Sequence, residues 1–220
     1  SCERYGLEVH ILNTTSDIGI PSVVAVLIDR SGRGPAVTMG AGCGSDPGSA
    51  IAHSLIEALG IRSWLRNGAK GLASNLPENF DLPPDYEPFV TAGISLSQRA
   101  VYWGNSGMQE KIRFFLEGPL RTINESFDKI SVSSPLQELK NVKNILQAKG
   151  ERYEIFYYEA RHTVLDTLGY ASVSVSIPAL LPVYLNEIKA PLGNPRIQEA
   201  CRALGHTPAD KINPLPHPFP

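Results

Sequence analysis

Residues 21–58 read Pro-Ser-Val-Val-Ala-Val-Leu-Ile-Asp-Arg-Ser-Gly-Arg-Gly-Pro-Ala-Val-Thr-Met-Gly-Ala-Gly-Cys-Gly-Ser-Asp-Pro-Gly-Ser-Ala-Ile-Ala-His-Ser-Leu-Ile-Glu-Ala, and this stretch decides the fold. Residues 21–29 are rich in β-branched side chains without polar alternation, the pattern of a strand buried on both faces. Ser31-Gly-Arg-Gly34 is a turn and residues 36–40 form a second strand, so the pair predicts a hairpin. In the run Gly40-Ala-Gly-Cys-Gly44, glycine permits positive φ or close backbone approach. Asp46 and Pro47 then open a helix as N-cap and first-turn proline. The helix is expected to run to about Leu65, with Ile51, Leu55 and Leu59, flanked by Ala52 and Ile56, as its apolar stripe.

Downstream, residues 67–107 read as loop, including Leu82-Pro-Pro84 and Tyr102-Trp-Gly-Asn105. A short helix is expected over 108–116, stopped by Gly118-Pro119. Ser134-Pro-Leu-Gln137 has the spacing of a capping box for a helix to about Lys149, with Leu136, Leu139, Val142 and Leu146 on its apolar face and Gly150 as its stop. Residues 153–158 form a strand, 162–168 one or two helical turns closed by Gly169, and 171–177 a half-buried strand in which Val173, Val175 and Ile177 alternate with serines. Asn194-Pro195 caps a last helix over 196–204, ended by Gly205. The order predicts an α+β fold with mixed α/β layers and largely antiparallel or mixed sheets, since the early hairpin argues against a purely parallel one.

Composition narrows the function. The chain has 20 basic and 22 acidic residues, a net charge of −2 that gives no general attraction to nucleic acid. No uninterrupted apolar run approaches the ~20 residues of a membrane span. The three cysteines, Cys2, Cys43 and Cys201, are dispersed and unpaired in spacing, which predicts a cytoplasmic protein without a disulfide framework. The five histidines show no zinc spacing, and no Gly-x-Ser-x-Gly elbow is present.

Two motifs carry candidate chemistry. A glycine run before a helix can cradle phosphate, but this one lacks a following Gly-Lys-Ser/Thr and does not match Gly-x-Gly-x-x-Gly, so a strand-to-helix turn is the simpler reading. On the helix, His53 and Glu57 share a face at i and i+4. Glu57 there is either a solvated edge residue or a ligand for metal or nucleotide. Arg62, five residues on, would ordinarily be a surface arginine. The sharper motif is the ending Asn213-Pro-Leu-Pro-His-Pro-Phe-Pro220. Proline at alternate positions restricts φ and favours an extended arm. It reads as a loose end, as a ligand for a proline-binding module, or as a fixed arm that presents its terminal carboxylate.

Three blocks, residues 20–25, residues 42–58 and the Pro-x-Pro-x-Pro ending, occur in an order that resembles the C-terminal half of YcaO-domain proteins, and among them the azoline-forming cyclodehydratases. Residues 177–182 (Ile-Pro-Ala-Leu-Leu-Pro) and 191–196 (Pro-Leu-Gly-Asn-Pro-Arg) lie between the last two blocks. The resemblance implies an incomplete YcaO-like domain over 1–212 and a proline-rich arm over 213–220. It implies ATP and Mg2+ as cofactors and the conversion of Cys, Ser or Thr of a ribosomal precursor peptide into azoline heterocycles. It assigns Glu57, with His53 and Arg62, to nucleotide and metal binding, Glu57 being the metal ligand. It assigns Pro216, Pro218 and Pro220 to the catalytic arm, the Pro220 carboxylate being a candidate base. Implied partners are the precursor peptide, a leader-peptide-binding protein related to ubiquitin-activating enzymes, and a flavin-dependent azoline dehydrogenase. Two positions depart from the family pattern: His53 stands where relatives often have arginine, and Gly60 where they often have glutamine. The carboxylate helices of the family's N-terminal half have no counterpart in these residues. A thioamide-forming or other backbone-activating enzyme, and a non-catalytic peptide- or partner-binding module, are the alternatives.

Overall fold

The computed structural model describes residues 2–68, 96–127, 133–210, 212–213 and 215–219. The centre is β2 (Ser22–Asp29), flanked antiparallel by β1 (Leu7–Asn13) and β3 (Val37–Cys43) in the order β1-β2-β3. Leu7 stands opposite Asp29 on one side of β2, and Val37 opposite Ile28 on the other. Side chains alternate along a strand, so Val24, Val26 and Ile28 enter one face while Val23, Ala25 and Leu27 enter the other, and all six are buried. The hairpin of β2 and β3 follows the expectation for residues 21–40. β1 does not: its polar Glu8, His10 and Asn13 mute the strand signal, and pairing with β2 decides its conformation.

α1 (Pro47–Gly68) crosses the face of Val23, Ala25 and Leu27. Asp46 caps it, its Oδ2 accepting a hydrogen bond from Ser49 N at 2.8 Å. The expected apolar stripe is corrected here. Leu55 does pack against Ala25, Leu27 and Ala58, and Ile51 is half-buried, but Ile56 and Leu59 are exposed, and the buried positions are Ala50, Ser54, Ala58 and Arg62, at every fourth residue. The reason lies in β3. The glycine run belongs to the strand rather than to a turn after it, and a Cβ on Gly40 would lie 2.3 Å from the Ser54 carbonyl oxygen. A Cβ on Gly42 would lie 1.9 Å from that of Ala50. The helix backbone rests directly on the strand backbone, and only small residues fit that seam.

The opposite face carries α2 (Leu96–Trp103), α3 (Met108–Lys111) and a 3-10 turn, Arg113–Leu116. Tyr102, Trp103, Met108 and Ile112 pack with Val24, Val26, Ile28, Val37 and Met39 into the main core. Ala36 N donates to Gly104 O at 2.8 Å and Gln109 Nε2 to Asp29 O at 2.7 Å, which pins this layer to both ends of the β2–β3 turn. The loop expected over 67–107 is thus wrong at its end, where α2 forms. Residues 69–95, with Leu82-Pro-Pro84, lie outside the described residues.

After the single turn α4 (Ile123–Ser126), α5 (Pro135–Ala148) starts on Ser134, whose Oγ accepts from Gln137 N at 3.2 Å. Leu146 joins Ile18 and Tyr153 in a second core, with Val142, Ile177 and Leu180 at its margin, while Leu136 and Leu139 remain exposed. β4 (Phe156–Ala160) and β5 (Ser172–Ser176) make an antiparallel pair around α6 (Thr163–Leu168), which ends on Gly169 at φ 73°. The half-burial expected for 171–177 is absent over β5, where every residue is exposed. Val173 and Val175 share a face with Tyr157, and no described residue buries that face. α7 (Arg196–Ala203) is tied back by an ion pair of Arg196 with Asp17. The architecture is α+β with antiparallel sheets, as expected. Among the described residues no helix is long and apolar enough to cross a membrane.

The seam predicts two glycine substitutions of opposite sign. Gly42→Ala should destabilise the chain by about 1–3 kcal/mol or more, the cost of overpacking. Gly60→Ala, where nothing lies within 4 Å, should stabilise α1 by about 0.5–1 kcal/mol. Chemical denaturation of both variants checks the pair, and a neutral Gly42→Ala would refute the close approach.

Candidate functional site

Glu57 sits on the exposed side of α1 and reaches round the edge of β3. Its Oε2 accepts a hydrogen bond from Ala41 N at 2.5 Å. That N–H points away from β2, so the carboxylate satisfies a donor that the described sheet leaves without a strand partner. His53, one turn earlier, is exposed, and nothing stands within 4 Å of a Cβ placed on Gly60. Among the described residues no three His, Cys, Asp or Glu side chains gather where a metal ion would be held. Glu57 is therefore one carboxylate rather than a ligand set, and the described residues do not by themselves fit Mg2+. The glycine run is no anion cradle either. The α1 backbone fills the space beside Gly40 and Gly42, and the Glu138 carboxylate accepts from Ser45 N at 3.1 Å, just ahead of the helix.

Arg62 is buried rather than on the surface. Its Nη2 lies 2.6 Å from Asp29 Oδ2, and its Nη1 donates to Pro35 O at 3.2 Å. Burial pushes the Asp29 carboxyl up, but hydrogen bonds from Ser31 and Arg62 outweigh it and hold the group below the usual carboxylate range. Gly34 makes room, since a Cβ there would lie 2.6 Å from Arg62 Nη2. With Arg4, Arg33 and Arg66, Arg62 lines an open cleft of about 780 Å³, in whose wall no carboxylate stands among the described residues.

The C-terminal arm is docked, not loose. Leu215 and Phe219 pack on the main core, on the sheet face opposite α1. Pro216 is buried, and its carbonyl accepts from Trp103 Nε1 at 3.2 Å. Pro218 is half-buried, and Pro220 lies outside the described residues. Between the two prolines, His217 stands edge-on to the Tyr184 ring with centroids 4.4 Å apart. Its Nε2 meets the guanidinium of Arg99. Arg99 Nη1 also donates to Tyr184 O at 3.1 Å, and Arg99 Nε lies 2.6 Å from Glu187 Oε1. Both members of that ion pair are fully buried.

The structure thus separates the expected site residues. Glu57, His53 and Arg62 belong to α1 on one face of the sheet, while Pro216 and Pro218 belong to the arm on the other, with β3 between them. Sequence reasoning missed Arg99, Trp103, Tyr184 and Glu187, which receive the arm. The available signal was the i, i+4, i+7 spacing of Leu96, Ala100 and Trp103, which marks a short amphipathic helix.

Two outcomes follow from these contacts. Arg62→Met should cost about 3–5 kcal/mol, because it strands the Asp29 charge in the interior; urea unfolding measures it, and a change under 1 kcal/mol would refute the pair's role. The second concerns pH. Burial and the neighbouring Arg99 charge lower the His217 pKa below its ordinary 6.5, against the opposing Tyr184 carbonyl and Glu187 charge. The docked arm therefore holds His217 neutral, while the released arm binds a proton at the ordinary value. Docking should be strongest above pH 6.5 and weaken as the pH falls below it, until the docked value is reached. Amide exchange of Leu215, His217 and Phe219 across that range reads the effect, and pH-independent protection, after correction for intrinsic exchange, would contradict it.

Comparison with known proteins places this geometry. A family model described as YcaO cyclodehydratase, ATP- and Mg2+-binding, matches residues 1–181. No curated protein matches the chain by sequence. Among solved structures, a heterocyclase in complex with substrate and cofactor superposes with a TM-score of 0.66 at 19% identity, covering 99% of this chain and 26% of that one. The heterocyclase TruD gives 0.57 at 18% identity, with the same coverage. The chain therefore spans about a quarter of the length of these heterocyclases, and at such identity the likeness is one of fold. On the family match, which spans most of its residues, the chain belongs to the YcaO cyclodehydratase family.

Proposed function

We propose that this chain is part of an ATP-dependent cyclodehydratase that converts Cys, Ser or Thr of a ribosomal precursor peptide into azoline heterocycles. The observation that carries the reading is the docked arm. A proline-rich ending held by Trp103, Arg99 and the main core is a built feature, and a loose tail needs none of these contacts. In the proposed reaction the side-chain thiol or hydroxyl adds to the preceding backbone carbonyl carbon. The carbonyl oxygen leaves as inorganic phosphate at the expense of ATP; the nitrogen lone pair forms the C=N bond as the N–H proton is given up, and with the proton already lost from the thiol or hydroxyl the peptide is lighter by one water.

What this chain contributes is orientation. α1 fixes Glu57 at the β3 edge, where its Oε2 is already oriented by Ala41 N. In this reading Glu57 serves the nucleotide side, with His53 one turn away and Arg62 bracing the helix end. The arm carries Pro216, Pro218 and Pro220 toward the reacting centre from the other face. The described residues hold no ligand set for Mg2+, so in this reading the remaining ligands lie outside them. A leader-binding protein related to ubiquitin-activating enzymes would deliver the peptide, and a flavin-dependent dehydrogenase would act on the azoline afterwards. Cytoplasmic location fits such chemistry.

The test is the intact mass of a Cys/Ser/Thr-rich precursor peptide after incubation with the chain in its native polypeptide, the leader-binding partner, ATP and Mg2+. Loss of one water per modified residue is expected. Deleting Pro220 should abolish that loss while leaving thermal stability nearly unchanged, and Glu57→Gln should weaken ATP-dependent turnover. No mass change with folded, partner-bound protein would favour a non-catalytic peptide-binding module, a reading supported by the single carboxylate at α1. A gain of sulfur in place of oxygen would favour thioamide formation.

A further inference from the structure

Nothing in the proposed reaction explains why a fully buried arginine and a fully buried glutamate stand behind the arm. Arg99 lies in the first turn of α2 and Glu187 in the 3-10 turn Glu187–Lys189, so the pair joins segments far apart in sequence. Burying two charges is costly, and a hydrophobic pair of the same volume would often stabilise a core as well or better. The geometry shows what the charge does that an apolar side chain could not. A guanidinium presents five donors in a fixed plane. Glu187 Oε1 lies 2.6 Å from Nε of Arg99, so the buried guanidinium has its counter-charge beside it. Nη1 then donates to the Tyr184 carbonyl at 3.1 Å and meets Nε2 of His217 in the arm, which itself lies 3.0 Å from the same carbonyl. The Tyr184 ring lies 5.0 Å from the guanidinium carbon on one side and edge-on to His217 on the other. One turn along α2, Trp103 Nε1 holds the Pro216 carbonyl. The two anchors therefore come from the same helix face and grip consecutive arm residues.

We infer that Arg99, its charge balanced by Glu187, is a positioning residue that sets the register of the C-terminal arm through His217, so that the arm's prolines arrive at one defined place. Residues 216 and 217 are gripped by α2, while the side chains of Leu215 and Phe219 pack on the main core. Apolar packing is non-directional and tolerates sliding; the two polar contacts do not. The inference rests on the arm having the working role proposed above, but docking itself can be measured without turnover.

The experiment compares Arg99→Met, Arg99→Lys and Glu187→Gln in the native polypeptide. Hydrogen exchange is followed at the amides of Leu215, His217 and Phe219, with the β1–β3 amides as the internal reference. In Arg99→Met the arm amides should exchange about tenfold faster or more, the size expected for a lost charge-assisted hydrogen bond, with the sheet amides unchanged. Arg99→Lys should restore part of the protection. Glu187→Gln, which keeps the volume and removes the charge, should show an intermediate loss even if Arg99→Met proves too damaging to fold. With the precursor peptide, kcat should fall in the order of lost protection while the KM for ATP stays within about twofold, since a positioning role acts on the reacting geometry and not on ground-state binding. Wild-type protection of the arm in Arg99→Met or Glu187→Gln would overturn the inference. So would equal acceleration of arm and sheet amides, which marks a purely structural pair, or a released arm with unchanged kcat. Inactivity of the wild-type enzyme would instead count against the cyclodehydratase reading, and the exchange comparison would still decide whether Arg99 seats the arm.

Discussion

The contact on which the structure depends is backbone on backbone. α1 lies against Gly40 and Gly42 so closely that a single methyl group at either would collide with a helix carbonyl. This fixes which face of α1 is buried, and it selects Ala50, Ser54 and Ala58 for the seam, with Leu55 packed at its margin. It also fixes what the helix presents. With Ala58 against the sheet, Glu57 emerges at the β3 edge and Arg62 arrives over Asp29. A bulkier seam would lift the helix and move both groups.

Three arginine–carboxylate pairs then tie remote segments to this frame. Arg62 with Asp29 locks the end of α1 to the end of β2, Arg196 with Asp17 brings α7 to the segment before β2, and Arg99 with Glu187 joins α2 to the segment that meets the arm. Each pair is largely or fully buried, so each fixes direction more than it adds stability. The apolar cores alone would allow sliding. In a chain with exposed hydrophobic surface on β4 and β5, such directional ties specify one arrangement where packing is incomplete.

The legible parts of the sequence were those with strong local chemistry. Residues 21–29 declare a doubly buried strand by composition. Asp46-Pro47, Ser134, Gly169 and Asn194 declare helix ends through capping and left-handed turns. β1 was not legible, because its identity depends on a partner strand. The buried face of α1 was misread, because hydrophobicity favoured Ile56 and Leu59, whereas the glycines of β3 demanded small residues. The arm was legible as a motif through its proline spacing, but its seat was not. Arg99 and Glu187 are separated by more than 80 residues, and nothing local marks either as half of a buried pair. Family resemblance singled out Glu57, while its contact with Ala41 N needed the β3 edge to be seen.

The central claim is that the assembled enzyme removes a backbone amide oxygen from a peptide as phosphate. The most direct measurement uses a precursor peptide carrying oxygen-18 in the amide carbonyl that precedes a modified cysteine, incubated with ATP, the partner protein and this chain in its native polypeptide. The account predicts one labelled oxygen in the inorganic phosphate for each azoline formed. Label released into water, or retained in the modified peptide, would contradict it.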